Sequence, residues 1–242
     1  MSRPASSLRA GKAHVAVVAA ALDEIQLAAA FDVLSPSERT RALGFKLPAR
    51  IDEFIKTRAV LRWALAWRTG RDPRSFDIRD AESGAPCLAD EPDLFCNVSH
   101  SAGQALVSVA HAPLGIDIEL MRADVDCLAI AQACYHPHER TVVQGTDGNG
   151  RIEAFFDIWT RKEAYLKATG TGLSAELTGF STVAANGAVS DGGTHGIWHV
   201  QPLSAPIGYR AALATRPGNP RLVRLRCSGT GAIHQEPQRA AA

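Results

Sequence analysis

The sequence predicts an α+β protein, and three observations predict it. Helical and strand stretches are segregated rather than strictly alternating: helices over about 24–67, strands over 94–120, helices again over 121–172 and strands again from 180. The strand runs are short and joined by tight turns such as Ser99–Gly103, the pattern of antiparallel pairing. The chain has 242 residues, 46% of them hydrophobic and 21% charged, which suits one large or two small globular domains with a buried core.

Taken in order, residues 1–12 are small and polar and read as disordered. Val15–Ala20 is a first strand. The basic residues before it (Arg3, Arg9, Lys12) and the later Ala28-Ala29-Ala30 imitate a signal peptide, but Asp23 and Glu24 cut the apolar run short, and no stretch reaches transmembrane length. A helix over Glu24–Val33 follows. Ser35-Pro36-Ser37-Glu38 starts another, with Ser at N-cap, Pro at N1 and Glu at N3 as a capping box. A longer helix spans Ala49–Trp67 and is closed by Gly70; Ile51, Phe54, Leu61 and Leu65 form its apolar stripe. Arg58 and Arg62 fall on or beside that stripe, where they either snorkel outward or face an anion or brace a site.

Asp80–Asp93 reads as loop, and Leu94–Val98, Gln104–Ala110 and Gly115–Leu120 as a three-stranded antiparallel meander. Met121–Cys134 reads as helix. Tyr135-His136-Pro137-His138-Glu139 has no metal-ligand spacing and reads as a helix start, with Gln144–Gly150 a Gly-rich loop after it. Ile152–Leu173 is a long helix ended by Gly170 and Gly172. Phe180–Val200, Tyr209–Ala214 and Arg221–Cys227 read as strands, and Ser228–Ala242 as a disordered tail.

The net charge of +1 indicates neither a nucleic-acid footprint nor an acidic coat. Five cysteines without a C-x-x-C pair fit reduced thiols, so a soluble, cytoplasmic chain is expected, with no nucleic-acid or membrane partner.

Chemistry concentrates in three stretches. In Gly115-Ile116-Asp117-Ile118-Glu119 the two carboxylates alternate with apolar residues and so share one strand face, ~6.6 Å apart along the chain and within reach of one hard cation. In the expected meander the end of the first strand, Asn97-Val98-Ser99-His100, lies at the same sheet edge as Asp117 and Glu119. On the long helix Glu163 sits about 20° from Ile152, inside the stripe of Ile152, Phe155, Phe156, Trp159 and Leu166, with Lys167 at its edge. A carboxylate amid aromatic residues needs a cation or a metal. Glu153, Asp157 and Arg161 fall on the polar face.

Asn97-Val98-Ser99-His100, Gly115–Glu119 and Trp159-Thr160-Arg161-Lys162-Glu163-Ala164-Tyr165-Leu166-Lys167 with Gly170-Thr171-Gly172-Leu173 resemble the three signatures of the 4′-phosphopantetheinyl transferases, in order and spacing, over about Ser35–Tyr209. Length and layout resemble the monomeric, broad-specificity type that serves fatty-acid and secondary-metabolite carrier proteins. The resemblance implies a pseudo-dimer of two similar α/β halves, each a small antiparallel sheet packed with helices, with the active site between them. The expected boundaries are 13–114 for the half that contacts nucleotide and 115–227 for the half with the metal and catalytic residues, between the terminal segments 1–12 and 228–242.

It also implies transfer of the phosphopantetheine arm of coenzyme A to a serine of an apo acyl or peptidyl carrier protein, releasing adenosine 3′,5′-bisphosphate. Asp117, Glu119 and Glu163 would ligate Mg²⁺; Arg41, Ser99 and His100 would contact the nucleotide phosphates; Glu163 and Lys167 would be catalytic. The chain departs from the family at Gly84-Ala85-Pro86, where a lysine usually stands in place of Ala85. Two rival readings are a catalytically silent coenzyme A or carrier-protein binding module and a metal-dependent phosphoesterase that uses water in place of serine.

Overall fold

The computed structural model describes residues 14–81, 84–172, 177–184, 186–189, 195–218 and 220–236. The expected disordered segment 1–12 and Leu173 lie outside them. The chain is α+β and divides into two compact units, one of residues 1–80, 86–111 and 220–242, the other of 81–85 and 112–219.

The first unit is built on strand β1 (His14–Ile25), which runs five residues beyond the expected Ala20 and takes up Glu24. Helix α1 (Leu27–Asp32), α2 (Pro36–Leu43) and α3 (Pro48–Thr69) follow. The capping box of α2 is present: the Glu38 amide donates to Ser35 Oγ, and the Ser35 amide donates to Glu38 Oε2 at 2.8 Å. Helix α3 ends where Gly70 takes φ 78°, a left-handed conformation that costs a residue without a Cβ little. The stretch expected as loop after Asp80 instead holds a short hairpin, β2 (Ile78–Asp80) with β3 (Pro86–Leu88).

Strands β4 (Phe95–Ser101) and β5 (Gln104–Ala110) form an antiparallel pair. Ala102 and Gly103 both have positive φ at their turn, as a two-residue hairpin requires. One face of the sheet is closed by α3, whose Ile55, Ala59, Leu61 and Leu65 are buried in the same core as Ala16, Val18, Val107 and Val109.

The meander does not form as expected. β5 pairs with β1, and β6 (Leu114–Leu120) belongs to a different sheet, in the second unit. Alternating apolar residues specify a strand but not its partner, and β1 supplies an apolar partner about ninety positions earlier in the chain. The argument that Ser99 and His100 share a sheet edge with Asp117 and Glu119 therefore falls.

A second departure concerns the chain's last part. β10 (Arg221–Gly229) runs parallel to β1, and β11 (Ala232–Gln235) pairs antiparallel with β10, giving the order β11-β10-β1-β5-β4. Residues 220–227, expected in the second half, thus belong to the first unit, and 228–236, expected as tail, are a hairpin. Gly231 is required at its turn: a Cβ there would come within 2.6 Å of the Trp63 ring.

In the second unit β6 pairs with β9 (Tyr209–Thr215), and the sheet continues through β8 (Trp198–Leu203) to β7 (Ala188–Val189). Helix α4 is confined to Cys127–Cys134, shorter than expected at its start. Helix α5 (Pro137–Gln144) begins at the histidine-rich stretch, read correctly as a helix start, and α6 (Gly148–Thr169) takes up part of the expected Gly-rich loop. Among the described residues no helix is long and apolar enough to cross a membrane.

Candidate active site

The second unit gathers the acidic residues singled out in the sequence. Along β6, residues 115, 117 and 119 share the face turned to α6, while Ile116 and Ile118 are buried on the other face. Gly115 sets how close helix and strand come: a Cβ there would lie 2.1 Å from the Ala164 carbonyl oxygen and 2.4 Å from the Ala168 nitrogen. No side chain fits that space, so the glycine lets the carboxylates of β6 meet the side chains one turn apart on α6.

They do meet. Lys167 Nζ donates to Asp117 Oδ1 at 2.7 Å, and the Asp117 side chain is only 2% exposed, not on a wet face. Glu163, one turn before Lys167, has its pKa raised first by burial and then by the negative charges of Asp117 and Glu119, with Lys167 opposing. Three carboxylates and one ammonium thus act on one another across a single strand–helix contact.

Two further basic residues frame this face, and neither was foreseen. Arg210 on β9 is the register partner of Glu119, and its guanidinium reaches Glu153 Oε2 at 2.9 Å and Asp157 Oδ1 at 3.2 Å on the first half of α6. Burial raises the pKa of Asp157, against the pull of Arg210 and Arg161.

Lys162, next to Glu163, is 1% exposed and holds Glu139 Oε2 at 2.8 Å. Its ammonium also donates to the carbonyls of Leu177 (2.7 Å) and Phe180 (2.8 Å). Glu139 is the N3 residue of the α5 capping box and also accepts from the amide and hydroxyl of Thr182, so both partners of this buried pair are fully hydrogen-bonded. A sequence signal for it existed: Lys162 follows Phe155 by seven residues, about 20° away on the apolar stripe.

The donor set of Asp117, Glu119 and Glu163 is all hard carboxylate oxygen, the chemistry a magnesium ion prefers. Among the described residues, however, no three Asp, Glu, His or Cys side chains are drawn together tightly enough to enclose an ion unaided. The fit to Mg²⁺ is one of donor type and mutual charge.

The remaining candidates lie in the first unit. Arg41 is exposed, paired with Asp80, and stacked on Phe54 with 5.2 Å from guanidinium carbon to ring centroid. His100 Nδ1 lies 3.2 Å from Glu53 Oε1. Ser99 and His100 are neighbours within β4, so their side chains leave opposite faces: Ser99 is buried and His100 exposed. Arg58 and Arg62 do not snorkel. Arg62 is fully buried with Nε 2.7 Å from Glu38 Oε2, and Arg58 bonds Asp80 Oδ1 at 3.0 Å. Asp80, at the start of the turn that carries Ala85, is thereby bracketed by Arg41 and Arg58.

Residues 113–212, nearly the whole second unit, match the family model of the 4′-phosphopantetheinyl transferase superfamily. The chain is 34% identical to the 4′-phosphopantetheinyl transferase HetI of Nostoc sp. (strain PCC 7120) over 62% of its own length and 65% of the relative's. It is 33% identical to a 4′-phosphopantetheinyl transferase of Bacillus subtilis, over 50% and 54%. To the 4′-phosphopantetheinyl transferase Sfp of Bacillus subtilis (strain 168) it is 27% identical, over 61% and 65%. The chain spans between half and two thirds of the length of these relatives. The segment that resembles the 4′-phosphopantetheinyl transferase superfamily model, residues 113–212, is also the one that holds the acidic face of β6 and the lysine tying it to the helix with a further carboxylate.

Proposed function

We propose that the protein transfers the 4′-phosphopantetheine arm of coenzyme A to a serine of an apo acyl or peptidyl carrier protein and releases adenosine 3′,5′-bisphosphate. The observation that carries this reading is the Asp117–Glu119–Glu163–Lys167 constellation on β6 and α6. Asp117, Glu119 and Glu163 would hold Mg²⁺. When bound, that ion neutralises pyrophosphate charge and orients its oxygens.

Everything else falls to the chain's own side chains. Glu163, one helical turn from Lys167 on α6, takes the proton of the incoming serine hydroxyl. The serine oxygen forms a bond to the phosphorus that carries the pantetheine arm, and the bond from that phosphorus to the bridging oxygen breaks. The electron pair leaves on the adenosine bisphosphate, where the Lys167 ammonium stabilises the oxygens. Arg41 and His100 of the first unit hold nucleotide phosphates; Ser99, buried on the other face of β4, supports the strand that presents His100. The protein works as a monomer in the cytoplasm.

The test incubates the protein with coenzyme A, Mg²⁺ and an apo carrier protein and weighs the carrier by intact-mass spectrometry. A carrier heavier by one phosphopantetheine arm is the expected result. Coenzyme A cleaved without carrier protein would make the protein a phosphoesterase, and coenzyme A bound but never consumed would make it a silent binding module.

A further inference from the structure

The bond between Lys167 and Asp117 joins two residues to which the proposed reaction gives separate tasks, one on the phosphoryl oxygens and one on the metal. Nζ lies 2.7 Å from Oδ1, and the carboxylate it holds is buried while the lysine side chain is 28% exposed. A divalent cation bonds a carboxylate oxygen at about 2.0–2.1 Å. An ion bonded to Asp117 Oδ1 beside an unmoved Lys167 would therefore sit within about 5 Å of the ammonium. At that separation, in half-buried surroundings, repulsion between the two cations far exceeds thermal energy. Ion and ammonium thus compete for one carboxylate, and the ammonium stands on a four-carbon stem near the end of α6.

We infer that Lys167 is the built-in counter-ion of Asp117, and that a divalent cation arriving at Asp117 displaces it and frees its ammonium for the phosphoryl group. Metal and catalytic lysine are then coupled through one carboxylate. The lysine weakens metal binding by competing, and the bound metal is what makes the lysine available. This rests on the proposal that Asp117 is a metal ligand.

The coupling predicts that removing the catalytic lysine tightens metal binding. Losing a charge-assisted competitor is worth roughly tenfold or more in affinity. Mn²⁺ binding is measured by calorimetry, without coenzyme A or carrier protein, on the wild type and on Lys167→Met, Lys167→Arg, Arg210→Gln and Asp117→Asn. Lys167→Met is expected to bind Mn²⁺ about tenfold more tightly, and Lys167→Arg within about threefold of wild type. Arg210→Gln removes a nearby cation that is held by Glu153 and Asp157, so it reports the general charge effect and should gain less than Lys167→Met. In parallel, the ¹⁵Nζ signal of Lys167 should move when Mg²⁺ is added to the wild type.

Equal Mn²⁺ affinity in wild type and Lys167→Met overturns the inference, as does an equal gain in Arg210→Gln. Asp117→Asn binding as well as wild type would remove the metal from Asp117, a failure of the underlying reading that is seen separately. Mn²⁺ bound by Lys167→Met alone would support the competition in its strongest form, and binding by neither would refute both.

Discussion

The two units are the same design executed twice, with the acidic face present in one of them. In each, a strand (β1 or β6) is followed by two short helices and then a 22-residue helix, Pro48–Thr69 or Gly148–Thr169, that ends at a left-handed glycine, Gly70 or Gly170. In each sheet that first strand pairs antiparallel with the unit's later strand, β5 or β9, which pairs antiparallel with the strand before it. The second short helix has proline at N1 and a capping box whose N3 glutamate, Glu38 or Glu139, is buried. That glutamate grips a buried cation at the same place on the long helix, Arg62 or Lys162.

The next residue and the one a turn later differ. In the first unit they are Trp63, buried against the turn at Gly231, and Trp67, packed on the core. In the second they are Glu163 and Lys167, facing Asp117. β1 is apolar over Val15–Leu22 where β6 carries Asp117 and Glu119. The buried pair is therefore common to both units, and the acidic face is particular to the second.

The largest expected effect breaks the scaffold in either unit. Lys162→Met leaves buried Glu139 without its cation and should cost about 3–5 kcal/mol in urea unfolding, whereas Lys162→Met with Glu139→Leu should recover most of it; Arg62→Met should cost less, because Arg58 Nε stays 3.6 Å from Glu38 Oε1. If only the second-unit variant is destabilised, the two pairs are not equivalent.

The next effect separates the units. Asp117→Ala or Glu163→Gln should lower kcat for carrier-protein modification by roughly 10²–10³-fold while the fold persists; Trp63→Phe should shift Tm and leave kcat near wild type. A large kcat loss in Trp63→Phe would place chemistry in the first unit too.

Gly115→Ala pushes a methyl into the Ala164–Ala168 backbone and should cost about 1–3 kcal/mol, with kcat falling more than KM changes because Glu163 and Lys167 are moved from Asp117. Kinetics beside a denaturation curve checks both.

The smallest effect follows from the raised pKa of Glu163. A carboxylate whose folded pKa lies above its unfolded value favours folding below the unfolded pKa, and that contribution is lost as pH rises through the folded one. At neutral pH the charged Glu163 therefore strains the fold. Glu163→Gln should raise Tm by about 2–4 °C, the shift ~1 kcal/mol produces in a chain of this size, and the gain should shrink as the pH is lowered. Lys167→Met should raise the Glu163 pKa further and Asp117→Asn should lower it, as a ¹³C carboxylate titration would register.

What the sequence by itself determined is local. The capping box at Ser35, the glycine stops at Gly70 and Gly170, the strand character of Gly115–Leu120 and the place of Glu163 on an apolar stripe all depend on residues within a few turns of one another, where periodicity and capping chemistry act. Which strands pair was decided only by tertiary structure. β1 joins β10 across some two hundred residues, and β6 leaves β5 for β9, because an apolar alternating strand accepts any partner that completes a buried sheet. The repeat stayed hidden in the letters for the same reason. Trp63 and Glu163, and Trp67 and Lys167, share a position but no chemistry that a sequence comparison rewards, and only the packing of each long helix on its own sheet makes them counterparts. The tie between Lys167 and Asp117 likewise spans fifty residues. It exists because Gly115, lacking a Cβ, lets helix and strand come close enough for an ammonium to reach a buried carboxylate.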